Sequence, residues 1–95
     1  MWNYNNLSKE QKAILNTLVQ NYRNGILKKT ISVISTKEGV RILGLPDLIN
    51  QTLQPNLNVL CEEGFLRWKH SLNDTRIYFI TTAGLEAIDD TDFYK

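Results

Sequence analysis

The residues best suited to directional hydrogen bonding lie close together in the second half of the chain. They are Gln51, Thr52, Gln54, Asn56 and Asn58. An amide side chain carries an N–H donor beside a carbonyl acceptor, so it can form two hydrogen bonds with one flat partner. Their spacing, interrupted by Pro55, places them at or near the start of a helix. We expect a contact surface here, the alternative being a solvated face in an asparagine-rich chain.

Cationic side chains occupy two other segments, and their chemistry is the binding of anions such as phosphate. Those after the amides are Arg67, Lys69, His70 and Arg76, and those before them are Lys28, Lys29, Lys37 and Arg41. The net charge is only +1. Residues 1–34 nevertheless carry five cations against one acid, residues 35–80 carry five against five, and residues 81–95 carry one against four. The acidic end therefore conceals a mildly basic body, and phosphate binding depends on the local field.

Catalytic chemistry has little support in this sequence. His70 and Cys61 are the single histidine and the single cysteine, and neither has a suitably placed partner for a nucleophile–base pair. No cysteine and histidine spacing indicates zinc, and no glycine-rich phosphate loop occurs. Glu62 and Glu63 are adjacent, so on a helix their carboxylates point in different directions. We expect a protein that is not an enzyme and that uses neither cofactor nor metal.

The bulk composition is that of one ordinary globular domain. The chain has 95 residues, of which 42% are hydrophobic and 22% charged. We expect a single domain over residues 1–95, with its core at about 7–88 and an aromatic, acidic tail at 89–95. Cys61 rules out an internal disulfide and is expected to be a small buried hydrophobe. With no apolar run of membrane length and no signal-like start, we expect the cytoplasm.

The first half of the chain carries two capping boxes, each a signal for the start of a helix. Ser8 with Gln11 predicts a helix from Ser8 to Arg23, which Asn24 and Gly25 end. The β-branched run from Lys29 to Ile34 predicts a short strand. Ser35 with Glu38 then predicts a second helix through Val40, Ile42 and Leu43, which Gly44 ends.

The second half predicts two more helices, a hairpin and a last helix. We expect a short helix at 46–53 and another at 55–63 with Pro55 in its first position, the alternative being one kinked helix. Gly64 ends the second piece. The strand-like runs Phe65–His70 and Thr75–Thr81 predict a hairpin around the polar turn 72–74. Thr81 or Thr82 then caps a short helix through Leu85 and Ile88.

Three segments together resemble winged helix-turn-helix regulators of the broad MarR-like and PadR-like group. They are Leu60-Cys61-Glu62-Glu63-Gly64-Phe65-Leu66 before the hairpin, Asn73-Asp74-Thr75-Arg76-Ile77-Tyr78 within it, and Thr81-Thr82-Ala83-Gly84-Leu85 after it. The resemblance covers residues 7–88. It implies an α+β, mostly α domain, with a strand at 29–34 and a wing hairpin at 65–81. The sequence departs from the group in its longer spacing between Gly44 and Leu60 and in lacking long terminal helices.

The resemblance implies a sequence-specific regulator of transcription that binds double-stranded DNA. The amides from Gln51 to Asn58 would then read base edges in the major groove. The cations expected to contact DNA are Arg67, Lys69, Arg76, Lys37 and Arg41, with Lys37 at the start of the second helix. A homodimer is also expected, with contacts from Trp2, Tyr4, Phe93 and Tyr94. The alternative for these aromatics is packing onto the first helix of the same chain.

A second hypothesis follows from the low net charge and the absence of cations in the amide segment. Winged-helix domains also serve as protein-interaction modules, because a fold does not fix a function. In that case the chain would not bind DNA, and Leu45, Leu48 and Leu53 would form a surface for a protein partner.

Overall fold

The chain forms a small α+β domain with three helices and a five-stranded antiparallel sheet in the residues described. The computed structural model describes residues 4–71 and 75–93, without the side chains of 46–50 and 89–93. A short 3-10 turn, Tyr4–Asn6, comes first. It is followed by α1 (Lys9–Arg23), β1 (Thr30–Thr36), β2 (Gly39–Ile42), β3 (Leu45–Asn50), α2 (Leu53–Glu62), β4 (Leu66–His70), β5 (Thr75–Ile80) and α3 (Thr82–Phe93).

The first capping box is confirmed. The backbone N–H of Gln11 donates to Ser8 Oγ at 3.1 Å, and the Ser8 N–H donates to Gln11 Oε1 at 2.9 Å. These bonds satisfy donors of the first turn that have no acceptor within the helix. Helix α1 ends at Arg23, and Gly25 follows with a φ of +78°, the left-handed conformation that closes helices.

The second capping box is wrong, because the predicted helix at 35–44 is a β-hairpin. Strand β1 continues to Thr36, which pairs with Gly39 across a turn at Lys37 and Glu38. Thr36 Oγ1 accepts from the Glu38 N–H at 3.2 Å and donates to the Gly39 carbonyl at 2.9 Å. The Thr36 side chain therefore stabilises a turn, and Ser35 does not cap a helix.

The predicted helix at 46–53 is also wrong, since residues 45–50 form β3 at the edge of the sheet. Pro46 is compatible with an edge strand, where one side of the backbone has no strand to pair with. Helix α2 then begins at Leu53, two residues before the predicted start, and Pro55 is its third residue. The loss of the Pro55 N–H costs nothing there, because donors in the first turn lack acceptors within the helix.

All three helices share one core with one face of the sheet. The strand order is β3-β2-β1-β5-β4. Along β1, Ile31 and Val33 are buried, whereas Ser32 and Ile34 alternate with them and face the other way. Leu53 is fully buried in this core and Leu45 packs against it. The proposed partner surface therefore loses Leu53, and the side chain of Leu48 lies outside the described residues.

The predicted hairpin at 65–81 is confirmed as β4 and β5, with its predicted turn 72–74 outside the described residues. The junction of this hairpin with α3 explains the Thr81–Gly84 motif. Thr81 Oγ1 donates to the Gly64 carbonyl at 2.7 Å and accepts from the Gly84 N–H at 3.1 Å. Thr81 is thus the residue that caps α3. A Cβ at Gly84 would collide with the Phe65 carbonyl oxygen, a backbone atom. The motif therefore allows α3 to pack directly on the backbone between α2 and β4.

Replacing Gly84 with alanine tests this junction. Alanine favours helix over glycine, so an unconstrained site would gain stability. Here the collision dominates, and we expect Gly84→Ala to lower the free energy of unfolding by about 1–3 kcal/mol, measured by urea denaturation.

The exposed neighbour Thr82 provides the control. Thr82→Ala changes the same first turn of α3 without approaching Phe65, so its effect should stay within about 0.5 kcal/mol. A Gly84→Ala protein as stable as the parent would contradict the close approach.

Candidate nucleic-acid interface

Helix α2 is amphipathic, and its polar side faces away from the core. Leu53, Leu57 and Leu60 are buried at the spacing of one helical stripe. Gln54 and Asn58 lie one turn apart on another side, next to the β4–β5 hairpin, hereafter called the wing. The polar side of α2 and the wing are therefore neighbours on the surface.

One amide of α2 is tied to the sheet and to the next amide. Gln54 Nε2 donates to the hydroxyl of Tyr78 at 2.7 Å and to Asn58 Oδ1 at 2.9 Å. Tyr78 is fully buried, and its hydroxyl accepts this hydrogen bond from Gln54. The chain of bonds restricts Gln54 and orients Asn58, which is exposed and keeps its side-chain N–H donors on the surface. Asn58 is thus a preorganised hydrogen-bonding group.

Three side chains form a wing cluster, defined as Trp68, His70 and Arg76. Trp68 and His70 are two residues apart on β4, so they share a face, and Arg76 pairs with His70 in the antiparallel register. The Arg76 guanidinium lies 4.4 Å from the Trp68 ring centroid. The His70 ring meets the Trp68 ring edge to face at 4.9 Å. Trp68 remains 39% exposed, so the cluster presents an aromatic surface and a positive charge to solvent.

The wing cluster is on the same side of the sheet as α2. Leu66 and Tyr78 belong to the core face, and Trp68 continues that face because it pairs with Tyr78. Arg76 also acts electrostatically on Cys61 of α2. We call Gln54, Asn58 and the wing cluster together the α2–wing surface. It combines exposed amide donors, an aromatic ring and a cation, all held by α2 and the two wing strands.

Two of the predicted amide-segment residues serve the fold instead of this surface. Asn56 Oδ1 accepts from Gln11 Nε2 of α1 at 3.2 Å, and the side-chain nitrogen Nδ2 of Asn56 donates to the Thr52 carbonyl at 3.0 Å. Thr52 Oγ1 donates to Glu10 Oε1 of α1 at 3.0 Å. Both therefore fasten the start of α2 onto α1. Gln51 lies in the turn before the helix and is exposed.

The predicted wing cations divide between the two faces of the sheet. Arg67 pairs with Phe79, and Lys69 pairs with Ile77, so both alternate with Trp68 and project from the face without helices. The Lys69 ammonium lies 5.5 Å from the Phe79 ring centroid. Of the three cations predicted on the hairpin to bind DNA, only Arg76 belongs to the α2–wing surface.

Lys37 and Arg41 lie elsewhere than predicted. Lys37 is exposed in the turn between β1 and β2. Its predicted place at the start of a second helix is wrong, because no helix begins there. Arg41 pairs with Ile34 on the face without helices, and its buried Nε has no hydrogen-bond partner among the residues described.

The terminal aromatics are described in part. Tyr4 packs edge to face on Phe65 with ring centroids 6.2 Å apart, and the Lys12 ammonium lies 5.3 Å from the Tyr4 ring. Tyr4 thus packs on its own domain, the alternative considered from the sequence. Phe93 ends α3, and its side chain lies outside the described residues, as do Trp2 and Tyr94.

Neither Trp68 nor Tyr78 was predicted from the sequence as a residue of this surface. Both are recognisable only with the register of the wing, which pairs them. Alternation from Leu66 places Trp68 on the core face, and the extension of the wing beyond the core leaves its ring partly exposed. The sequence signal that could have found them is the alternation of side chains along β4 with a period of two. The second part of the signal is the length of the hairpin, which extends beyond the core.

Comparison with models of known families, with curated proteins and with solved structures gives no match to this chain. Within residues 4–71 and 75–93, no group of histidine, cysteine, aspartate or glutamate side chains is arranged to hold a metal ion. In the same part of the chain, no helix has both the length and the apolar character to cross a membrane.

Cys61 lies near the end of α2, close enough to the wing for Arg76 to act on it, and is half-buried. Burial raises the pKa of its thiol from an ordinary 9.0 to about 11, with Arg76 lowering it and Glu62 raising it to lesser extents. The thiol is therefore protonated and unreactive near neutral pH.

This pKa predicts slow alkylation of the native protein. At pH 8 the thiolate fraction should be about 100-fold below that of an ordinary thiol, because the pKa differs by about two units. Iodoacetamide labelling followed by mass spectrometry measures the rate, with the urea-unfolded chain as the control. Equal rates for the native and unfolded chains would contradict the burial of Cys61.

Proposed function

We propose that this chain is a winged-helix regulator that binds double-stranded DNA through the α2–wing surface. The observation that carries the proposal is that Asn58, Trp68 and Arg76 belong to one surface formed by a helix and an adjacent hairpin. A helix fits the major groove of B-DNA, and a flanking hairpin can contact the backbone or minor groove beside it. In this proposal α2 is the helix that enters the major groove. Strands β2 and β3 occupy the place of the helix expected before it.

The charges of this surface suit contact with few phosphates. Arg76 supplies a guanidinium, and the exposed His70 ring adds hydrogen-bonding nitrogens beside it. Held over Trp68, the guanidinium is already oriented, so less side-chain entropy is lost when it binds a phosphate oxygen. The small cationic set agrees with the net charge of +1 and implies modest affinity for arbitrary sequences.

Asn58 is the residue proposed to read sequence. Its side-chain amide can form two hydrogen bonds with adenine in the major groove, and a good pair of this kind contributes about 1–3 kcal/mol of discrimination. Gln54 supports Asn58 because it is anchored to the buried Tyr78. Specificity would therefore come from α2, and nonspecific affinity from the wing.

Substitution of Arg76 tests the wing. We expect Arg76→Gln to weaken binding to a fluorescein-labelled, mixed-sequence duplex by about tenfold at low salt, with the slope of log K against log salt falling by about 0.9. Fluorescence anisotropy between about 50 and 200 mM salt measures both quantities.

Lys28→Gln is the matched control. It also removes one positive charge, from an exposed residue just before β1, at the opposite end of that strand from the wing tip. It should leave binding nearly unchanged. Binding by the parent that is independent of salt, or equal losses in the two variants, would refute binding through the wing.

Asn58→Ala tests the proposed readout on a duplex selected from a random pool. Preference for that duplex over the mixed-sequence duplex should fall by about 1–3 kcal/mol, because the adenine contact is lost. The control is Asn5→Ala, which removes the same side chain from an exposed position in the 3-10 turn before α1. A preference that survives Asn58→Ala would assign the readout to another residue.

A further inference from the structure

The face of the sheet opposite the helices carries a second surface, which we call the outer sheet face. It is formed by strand residues that alternate with the buried ones, namely Thr30, Ser32, Ile34, Arg41, Arg67, Lys69, Ile77 and Phe79. Phe79 of β5 is half-buried and pairs with the exposed Arg67 of β4. Ile77, two residues earlier, is likewise half-buried and pairs with the exposed Lys69. The face therefore has an apolar line along β5 with cations beside it on β4.

A cavity of about 630 Å³ opens at one end of this face, beside Phe79. Lys29 and Arg67 stand at its wall, and residues of the first turn of α3 also line it. The cavity is large enough for a flat aromatic ring system. From Phe79 the apolar line continues to Ile77, about 6.7 Å away along β5, which is the scale of one extended nucleotide.

The charge of the outer sheet face is of one sign. Arg41, Arg67 and Lys69 project from its strands, and Lys29 adds a fourth cation at the cavity. Among acids whose side chains the structure describes, none is on a strand, since they lie in α1, in the β1–β2 turn, at the end of α2 and in α3. The face therefore complements a polyanion, and its apolar line requires that the polyanion also carry flat apolar groups.

The shape of this face favours a single strand of nucleic acid over a duplex. The major groove of B-DNA admits a helix or a two-stranded ribbon, whereas this face is four strands wide. In a single strand the ring faces of the bases are free to stack on an aromatic side chain while the phosphates contact nearby cations. The outer sheet face provides both kinds of partner side by side.

The Phe79 ring already has a cation next to it, at a distance that a base could replace. The Lys69 ammonium lies 5.5 Å from the ring centroid. Because Lys69 is exposed and its side chain is long and flexible, its ammonium can turn to a phosphate when a base takes its place on the ring.

We propose that the outer sheet face binds single-stranded nucleic acid. One base enters the cavity and stacks on Phe79, and the next base lies over Ile77. Phosphates contact Lys29 and Arg67 at the cavity and Lys69 further along β4. None of these residues belongs to the α2–wing surface, so this site does not depend on the proposed duplex binding.

Removal of the two cations at the cavity tests the phosphate contacts. We expect Lys29→Gln/Arg67→Gln to weaken binding of a fluorescein-labelled oligothymidylate of about 12 nucleotides by at least about tenfold at low salt. The slope of log K against log salt should fall by about 1.4, because each phosphate contact with a single strand contributes about 0.7. Fluorescence anisotropy measures both quantities. An oligouridylate of the same length is measured in parallel. Binding of either supports the proposal, and the tighter one identifies the preferred sugar.

Two controls separate this site from general charge and from the wing. Lys9→Gln/Lys37→Gln removes as much charge from exposed residues at the start of α1 and beyond the opposite end of β1, and it should bind like the parent. Arg76→Gln should also bind the oligonucleotide like the parent, because Arg76 lies on the other face of the sheet. Loss of single-strand binding and loss of duplex binding are therefore separate results.

Substitutions of Phe79 test the stacking contact. Phe79→Leu keeps an apolar side chain but removes the ring, so binding should weaken by about tenfold. Phe79→Tyr keeps the ring and should bind like the parent. Circular dichroism confirms that each variant is folded before binding is measured.

Several outcomes would overturn the proposal. They are a parent that binds neither oligonucleotide, equal losses in the two double variants, and a Phe79→Leu protein that binds like the parent. A loss in Arg76→Gln as large as that in Lys29→Gln/Arg67→Gln would place the single strand on the α2–wing surface. A parent that binds neither oligonucleotide but binds polyglutamate through Lys29 and Arg67 would assign the face to an acidic protein instead.

Discussion

The contact between the Gly64–Phe65 backbone and the first turn of α3 is the constraint on which the rest of the structure depends. Thr81 makes three bonds there: its N–H donates to the Phe65 carbonyl at 3.3 Å, its hydroxyl donates to Gly64, and it accepts from Gly84. One residue thus joins the end of α2, the start of β4 and the start of α3. Because β4 leaves this junction directly beside α2, the wing is held next to the polar side of the helix.

Burial attaches α2 to the sheet, whereas polar contacts determine which side it exposes. Burying each of Leu53, Leu57 and Leu60 contributes about 1.5–3 kcal/mol. The two hydrogen bonds that join Asn56 and Thr52 to α1 contribute about 1 kcal/mol each, so the leucines dominate the attachment. The bonds are directional, however, and they select one rotation of the helix. That rotation directs Asn58 to the surface beside the wing.

Alternation along the wing strands gives the sheet two chemically different faces. The face beside α2 carries Trp68 and Arg76, and the opposite face carries Arg67 and Lys69. A single cationic hairpin in the sequence therefore serves two surfaces in the fold. This division explains how a chain with a net charge of +1 can present local positive fields on both faces, since its acids lie mainly on helices and at its C-terminal end.

The sequence by itself determined the elements whose signals are local. The capping box at Ser8, the hairpin between Phe65 and Thr81 and the cap of α3 depend on neighbours within a few residues. Residues 35–44 were mispredicted as a helix because Ser35 with Glu38 satisfies a local helix signal equally well, and residues 46–50 were mispredicted as part of the next helix. Only the pairing of β2 with β1, and of β3 with β2, makes that segment part of the sheet. Likewise, only the tertiary structure decided that Asn58 faces solvent while Asn56 faces α1, because the rotation of a helix is set by what packs against it.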